Sequence, residues 1–134
     1  MRAGPDRWHP PRVRVLIVDD NPGFLAAAGR LLRQEGIVVA GVASSGEEAL
    51  RLAGELRPDA TLVDIDLGPE DGITVAGRLA RTDGRPAGSI IFISTHDEDE
   101  FAELVEASPA VGFIPKSGLN AAAILRLVEG AAGT

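Results

Sequence analysis

The sequence predicts an α/β fold: a five-stranded parallel sheet flanked by five helices, arranged as a three-layer sandwich. Two observations carry this. Short apolar runs rich in Val and Ile alternate along the chain with longer segments whose apolar residues recur at helical spacing. The junctions between them are brief and marked by Gly, Pro, Asn and Asp, so each strand must return through a helix to a parallel neighbour.

Strand one covers 13–18, mostly apolar and therefore expected at the centre of the sheet. It delivers Asp19 and Asp20, after which Asn21 can cap a helix with Pro22 at its first position. Phe24, Leu25, Ala28, Leu31 and Leu32 give that helix an inner stripe, and Gly36 ends it. Strand two is 37–42. Ser44 or Ser45 caps the next helix, whose buried stripe is Ala49, Leu50, Leu52, Ala53 and Leu56 before Pro58 closes it. The third strand starts at Ala60 and carries Asp64 and Asp66 into a loop of Gly68-Pro69 and Asp71-Gly72.

Ile73, Val75, Ala76 and Leu79 place a third helix over about 71–82, followed by a turn through Gly84, Pro86 and Gly88. Ile90, Ile91, Phe92 and Ile93 form strand four, which delivers Ser94, Thr95 and His96. The acidic run at 97–100 suits the N-terminal dipole of a helix with Phe101, Leu104 and Val105, stopped before Pro109. Strand five is 111–114, followed by Pro115-Lys116-Ser117. A last helix over 121–129 turns Ile124, Leu125 and Val128 inward. The organisation expected is a tail at 1–12, one domain at 13–130 and a short tail at 131–134.

The chain has 134 residues, enough for one substantial core, and its 45% apolar and 25% charged content is that of an ordinary globular protein. A net charge of −7 argues against direct contact with nucleic acid. With no cysteine, disulfides, thiol catalysis and Cys-type zinc sites are excluded. No stretch approaches the length of a membrane span, and residues 1–12 are neither signal peptide nor anchor, so a cytoplasmic location is expected.

Asp19, Asp20, Asp64, Ser94 and Lys116 all fall just past strand ends, where open α/β sheets gather their chemistry. Converging carboxylates would repel one another unless a divalent cation sat among them, and oxygen ligands with open positions suit Mg2+. A cation beside a carboxylate is the arrangement phosphoryl transfer needs. Asp64 is then the acceptor, Lys116 neutralises a phosphoryl oxygen, and Ser94, favoured over neighbouring Thr95, donates to another.

Taken singly, each residue has a plainer role. Asp19-Asp20 is a helix cap, Lys116 a solvated cation, the 97–100 run a solvated helix start and His96 a surface residue. Phe113 reads equally as core or switch. The joint pattern is what carries the reading.

These motifs resemble the receiver domains of bacterial two-component response regulators, a (βα)5 flavodoxin-like fold, over about 13–129. The carrying residues are Asp19-Asp20 after Leu16-Ile17-Val18, and Asp64 within Leu62-Val63-Asp64-Ile65-Asp66-Leu67. They continue with Asp71-Gly72, Ser94 after Ile91-Phe92-Ile93, and Gly112-Phe113-Ile114-Pro115-Lys116-Ser117.

The resemblance implies that Asp64 takes a phosphoryl group from a phosphohistidine on a sensor histidine kinase or phosphotransfer protein. It implies Mg2+ held by the Asp20 and Asp64 side chains, by the Asp66 backbone carbonyl and by Asp19 through water. Ser94 and Phe113 become switch residues that rearrange the face of the fourth helix, fifth strand and fifth helix, which a downstream protein reads and through which receivers dimerise. The domain is then a phosphoacceptor that catalyses only its own phosphorylation and dephosphorylation.

Gly68 where the family usually has proline, and Ser117 after the lysine, depart from the common pattern. The lysine region is similar to receivers of helix-turn-helix transcription regulators. The rival readings are a phosphatase of the haloacid dehalogenase type, whose acid pair Asp64 and Asp66 resemble, and a pseudo-receiver that acts without phosphorylation.

Overall fold

A computed structural model of the chain describes residues 12–96 and 98–132. The expectations for the amino-terminal tail and Trp8 lie outside the described residues, as do Asp97 and the side chains of 98–100 in the acidic run. The strands are β1 (Arg14–Val18), β2 (Val38–Ala43), β3 (Ala60–Asp64), β4 (Ser89–Ser94) and β5 (Gly112–Pro115). The helices are α1 (Pro22–Gln34), α2 (Gly46–Leu56), α3 (Gly72–Arg81), α4 (Glu98–Glu106) and α5 (Ala121–Ala132). All five strands are parallel in the order β2-β1-β3-β4-β5, the doubly wound arrangement the alternation requires.

The two-residue period of the strands splits the core. Leu16, Val18, Val63 and Phe92 face α2 and α3, with Phe101 and Val105 of α4 on the same side. Val15, Ile17, Leu62, Ile91 and Ile93 face Leu32 of α1 and Ile124 of α5. Burial on both faces explains why these strands read as continuous apolar runs rather than alternating ones.

Local chemistry sets the element ends. Asn21 Oδ1 accepts the Phe24 N–H with Pro22 at the first helical position. Ser45, not Ser44, caps α2 by accepting the Glu48 N–H, while the Ser44 N–H donates to the Glu48 carboxylate. Asp71 caps α3 through the Ile73 N–H. Gly36 adopts φ +92 just past α1.

Some boundaries differ from the expectation. β2 lies one residue further along and meets β1 with a register break between Val15 and Leu16. The last helix continues past Gly130 to Ala132. The stretch after β3 is not a plain loop. Asp66–Leu67 pairs antiparallel with Glu70–Asp71 in a miniature hairpin closed by Gly68-Pro69, with Gly68 at φ +63.

The junction between β3 and α3 admits only glycine at position 72. A Cβ there would stand 2.0 Å from the Asp64 carbonyl oxygen and 2.8 Å from Ile65 Cα, while the Gly72 N–H donates to Ile65 O at 2.8 Å. The helix therefore begins against the backbone that holds Asp64. Gly72→Ala should cost about 1–3 kcal/mol or more, because backbone rather than a pliable side chain must yield. Chemical denaturation measures this, and an unchanged midpoint would contradict the tight junction.

Candidate functional site

β1 pairs with β3 in a register that sets Val18 beside Val63, so the next residues, Asp19 and Asp64, emerge together at the carboxyl edge. Asp19 is fully buried, and its Oδ1 accepts the Asn21 N–H at 2.9 Å. Asp64 is 5% exposed, and its Oδ1 accepts the Asp66 N–H at 3.0 Å.

Lys116, in the short turn after β5, reaches both acids. Its Nζ lies 3.1 Å from Asp64 Oδ2, as a hydrogen bond, and 2.6 Å from Asp19 Oδ2. The second contact is a close ion pair without hydrogen-bond alignment, so this oxygen of Asp19 is buried with charge attraction as its compensation. The same ammonium sits 4.4 Å from the centre of the Phe24 ring, on α1.

Asp20 completes the cluster from the solvent side. Asp19, Asp20 and Asp64 each offer a carboxylate oxygen, and these lie within 4.8 Å of one another. The set is hard, oxygen-only, buried on one side and open on the other. That fits Mg2+, which prefers carboxylate oxygen and keeps open positions for water or phosphate.

Burial pushes the Asp64 carboxyl up to about 6. Within that net rise the Asp66 N–H and the Lys116 hydrogen bond act downward, and the neighbouring Asp19 charge acts upward alongside burial. Burial opposes the charge on Lys116, yet its contacts with Asp19 and Asp64 outweigh that and raise its pKa above the ordinary lysine value. The site is short of positive charge: one ammonium serves two buried acids, with a third beside them.

The remaining expected residues fall at graded distances from this centre. Ser94 is fully buried at the end of β4, one residue past Ile93, which registers with Asp64. Its Oγ accepts the His96 N–H at 3.0 Å and lies 3.3 Å from His96 Nδ1. Thr95 is exposed, so Ser94 is the hydroxyl on the inner side. Phe113 is buried on β5, its ring 6.5 Å from that of Phe101, which meets His96 edge-on at 5.7 Å. The Asp66 side chain is outside the acid cluster, 71% exposed and 3.8 Å from His96 Nδ1. A haloacid-dehalogenase pair would need that carboxylate at the nucleophile, where it is not.

Sequence reasoning missed Phe24 as a partner of Lys116, since an aromatic at a core-facing helical position carries no signal of a cation 92 residues away. His96 is exposed, as expected of a surface residue, and its ring also meets Ser94, Phe101 and the Asp66 carboxylate.

The model of the response regulator receiver domain matches residues 15–129. The positive alginate biosynthesis regulatory protein of Pseudomonas aeruginosa is 42% identical over 78% of this chain and 41% of its own length. The response regulator GacA of the same organism is 31% identical over 78% of this chain and 48% of its own. The chain thus spans about half the length of these curated relatives.

Among solved structures, a LuxR-family two-component response regulator from Aurantimonas superposes with a TM-score of 0.78 at 30% identity, over 90% of this chain and 87% of that one. A response regulator from Burkholderia pseudomallei, solved with a phosphorylated aspartic acid and a calcium ion, superposes at 0.72 and 27% identity. That match covers 87% of this chain and 66% of the other.

The raised Asp64 pKa has a consequence for stability. The folded state binds this proton more readily than the unfolded state, whose carboxyl titrates near 3.8, so the group's contribution is greatest below about 4 and falls as pH rises through about 6. Asp64→Asn in Mg2+-free buffer should therefore raise the melting temperature at pH 7.5, by on the order of 1–3 kcal/mol of stability. The gain should fade between pH 6 and 4. A variant equally or less stable at pH 7.5 would show that Asp64 is not electrostatically strained.

Proposed function

The chain belongs to the response regulator receiver domain family, and on that premise we propose that Asp64 accepts a phosphoryl group from the phosphohistidine of a sensor histidine kinase or phosphotransfer protein. The observation that carries this is Asp64 itself: a nearly buried carboxylate of raised basicity at the carboxyl end of β3, oriented by the Asp66 N–H and Lys116. The Burkholderia relative, with its phosphorylated aspartic acid, supports the reading.

In the step, a lone pair of an Asp64 carboxylate oxygen forms the O–P bond of an acyl phosphate. The P–N bond of the phosphohistidine breaks, and its electron pair stays on the imidazole nitrogen. Lys116 is placed to leave its ion pair with Asp64 for a phosphoryl oxygen at little displacement. Ser94 can turn its hydroxyl from His96 toward the new group. Later attack of water on phosphorus returns the free carboxylate and inorganic phosphate.

Asp19, Asp20 and Asp64 would hold Mg2+, and the family resemblance adds the Asp66 backbone carbonyl as a further ligand. Bound there, the ion would offset the charge of the acids and of the incoming phosphoryl oxygens.

The output face is that of α4, β5 and α5. Leu104 of α4 is 50% exposed on it, apolar surface suited to a protein partner or a second copy of this chain. A route of contacts from Ser94 through His96 and Phe101 to Phe113 links the site with it. Phosphorylation shifts the populations of two arrangements of this face, limited by the differential contacts the phosphoryl group makes. Because the group is transferred once rather than turned over, the domain is a signalling acceptor and not a phosphatase. A cytoplasmic location, where kinase and phosphodonor are found, follows from the same reading. The net charge of −7 speaks against direct nucleic-acid contact.

The test is mass measurement after incubation with Mg2+ and a small phosphodonor such as acetyl phosphate. The protein should gain one phosphoryl group and Asp64→Asn none. Failure to label with this donor and with histidine kinases would favour the phosphorylation-independent reading, and repeated turnover of p-nitrophenyl phosphate a phosphatase.

A further inference from the structure

We propose that Glu70 is a positioning residue that ties the acid cluster to the first turn of α2, so that cation binding at the site and the state of that turn are coupled. The inference rests on the cation-binding reading above and deepens it.

The Glu70 carboxylate takes the Gly46 N–H on both oxygens, at 3.2 and 3.0 Å, from 24 residues away. A carboxylate at the first residue of a helix is stabilised by the unpaired N–H groups and the dipole. The fit is close: a Cβ on Gly46 would stand 2.6 Å from Glu70 Oε1 and 2.7 Å from Val75 Cγ2. Glu70 belongs to the miniature hairpin, where it pairs with the buried Leu67, and Asp71 pairs with Asp66.

The same hairpin also touches two of the three acids, from its open end at Asp66 and from its corner at Gly68. Its Asp66 N–H donates to Asp64 Oδ1. Its corner, Gly68 at φ +63, closes against Asp20, where a Cβ would lie 2.7 Å from Asp20 Oδ2. Among the described residues the exposed Asp20 carboxylate has no hydrogen bond or ion pair, and Gly68 lies beside one of its oxygens. The hairpin therefore bridges the first turn of α2, through Glu70, and the acids, through Asp66 and Gly68. Coupling of this kind is reciprocal: whatever Glu70 does for cation affinity, the cation does for the α2 turn.

A residue that only caps α2 would alter stability and leave cation affinity alone. The experiment titrates Mg2+ into the full chain, reading affinity by calorimetry and the Gly46 amide by NMR, in wild type, Glu70→Ala and Glu70→Gln. The Gly46 resonance should move with Mg2+ in wild type at the calorimetric Kd. In Glu70→Ala the Kd should weaken by about fivefold or more, and the Gly46 response should disappear. Glu70→Gln, which keeps an acceptor, should lie between.

A folded Glu70→Ala with Kd within about twofold of wild type overturns the coupling. If that variant does not fold, Glu70→Gln decides by the same criterion. A wild type that binds no Mg2+ overturns the cation reading instead, and this inference with it.

Discussion

One ammonium shared between two buried carboxylates is the constraint on which the rest of the structure depends. Lys116 holds Asp19 at 2.6 Å and Asp64 at 3.1 Å, and neither acid has another cation among the described residues. Without it both would be uncompensated charges in the interior, which is among the costliest states a fold can hold. Asp19 and Asp64 meet because β1 and β3 are adjacent and Val18 registers with Val63. Lys116 arrives from two strands beyond β3, about 10 Å at ordinary strand spacing, and three beyond β1, which calls for a long side chain and a turn aimed back at the sheet edge.

The compensation is deliberately incomplete in its chemistry. Asp20 adds a third carboxylate, and Asp64 retains a basicity far above that of a free aspartate. A region so rich in negative charge attracts cations and favours any reaction that moves its excess charge onto a stabilised group. The same feature makes the site a weak point in the fold, and it is enclosed by the tight Gly72 junction behind Asp64, the hairpin beside it and the Phe24 ring against Lys116. Function and strain share the same few residues.

Much of this was legible in the sequence because it is written in local patterns. Strand runs, helix stripes, the Asn21-Pro22 cap and the placement of Asp19, Asp20, Asp64, Ser94 and Lys116 at strand ends all follow from spacing and residue type. What escaped depends on contacts between distant positions. The bond from Gly46 to Glu70, the packing of Lys116 on Phe24 and the approach of His96 to Asp66 leave no periodic trace. The miniature hairpin escaped for another reason. Gly68-Pro69 does signal a turn, but two-residue strands are too short to show alternation. The exposed direction of the Asp66 side chain likewise depends on Ile65 leaving the strand, which residue type alone does not reveal.

The central claim is that Asp64 sits in a charge-deficient pocket built to receive a cation. Carboxyl-carbon NMR titration of the Asp64 side chain, with and without Mg2+, addresses it most directly. The account predicts a pKa near 6 in the absence of the ion and a marked fall when Mg2+ is added. An Asp64 that titrates near 4, like a free aspartate, and ignores Mg2+ would contradict it.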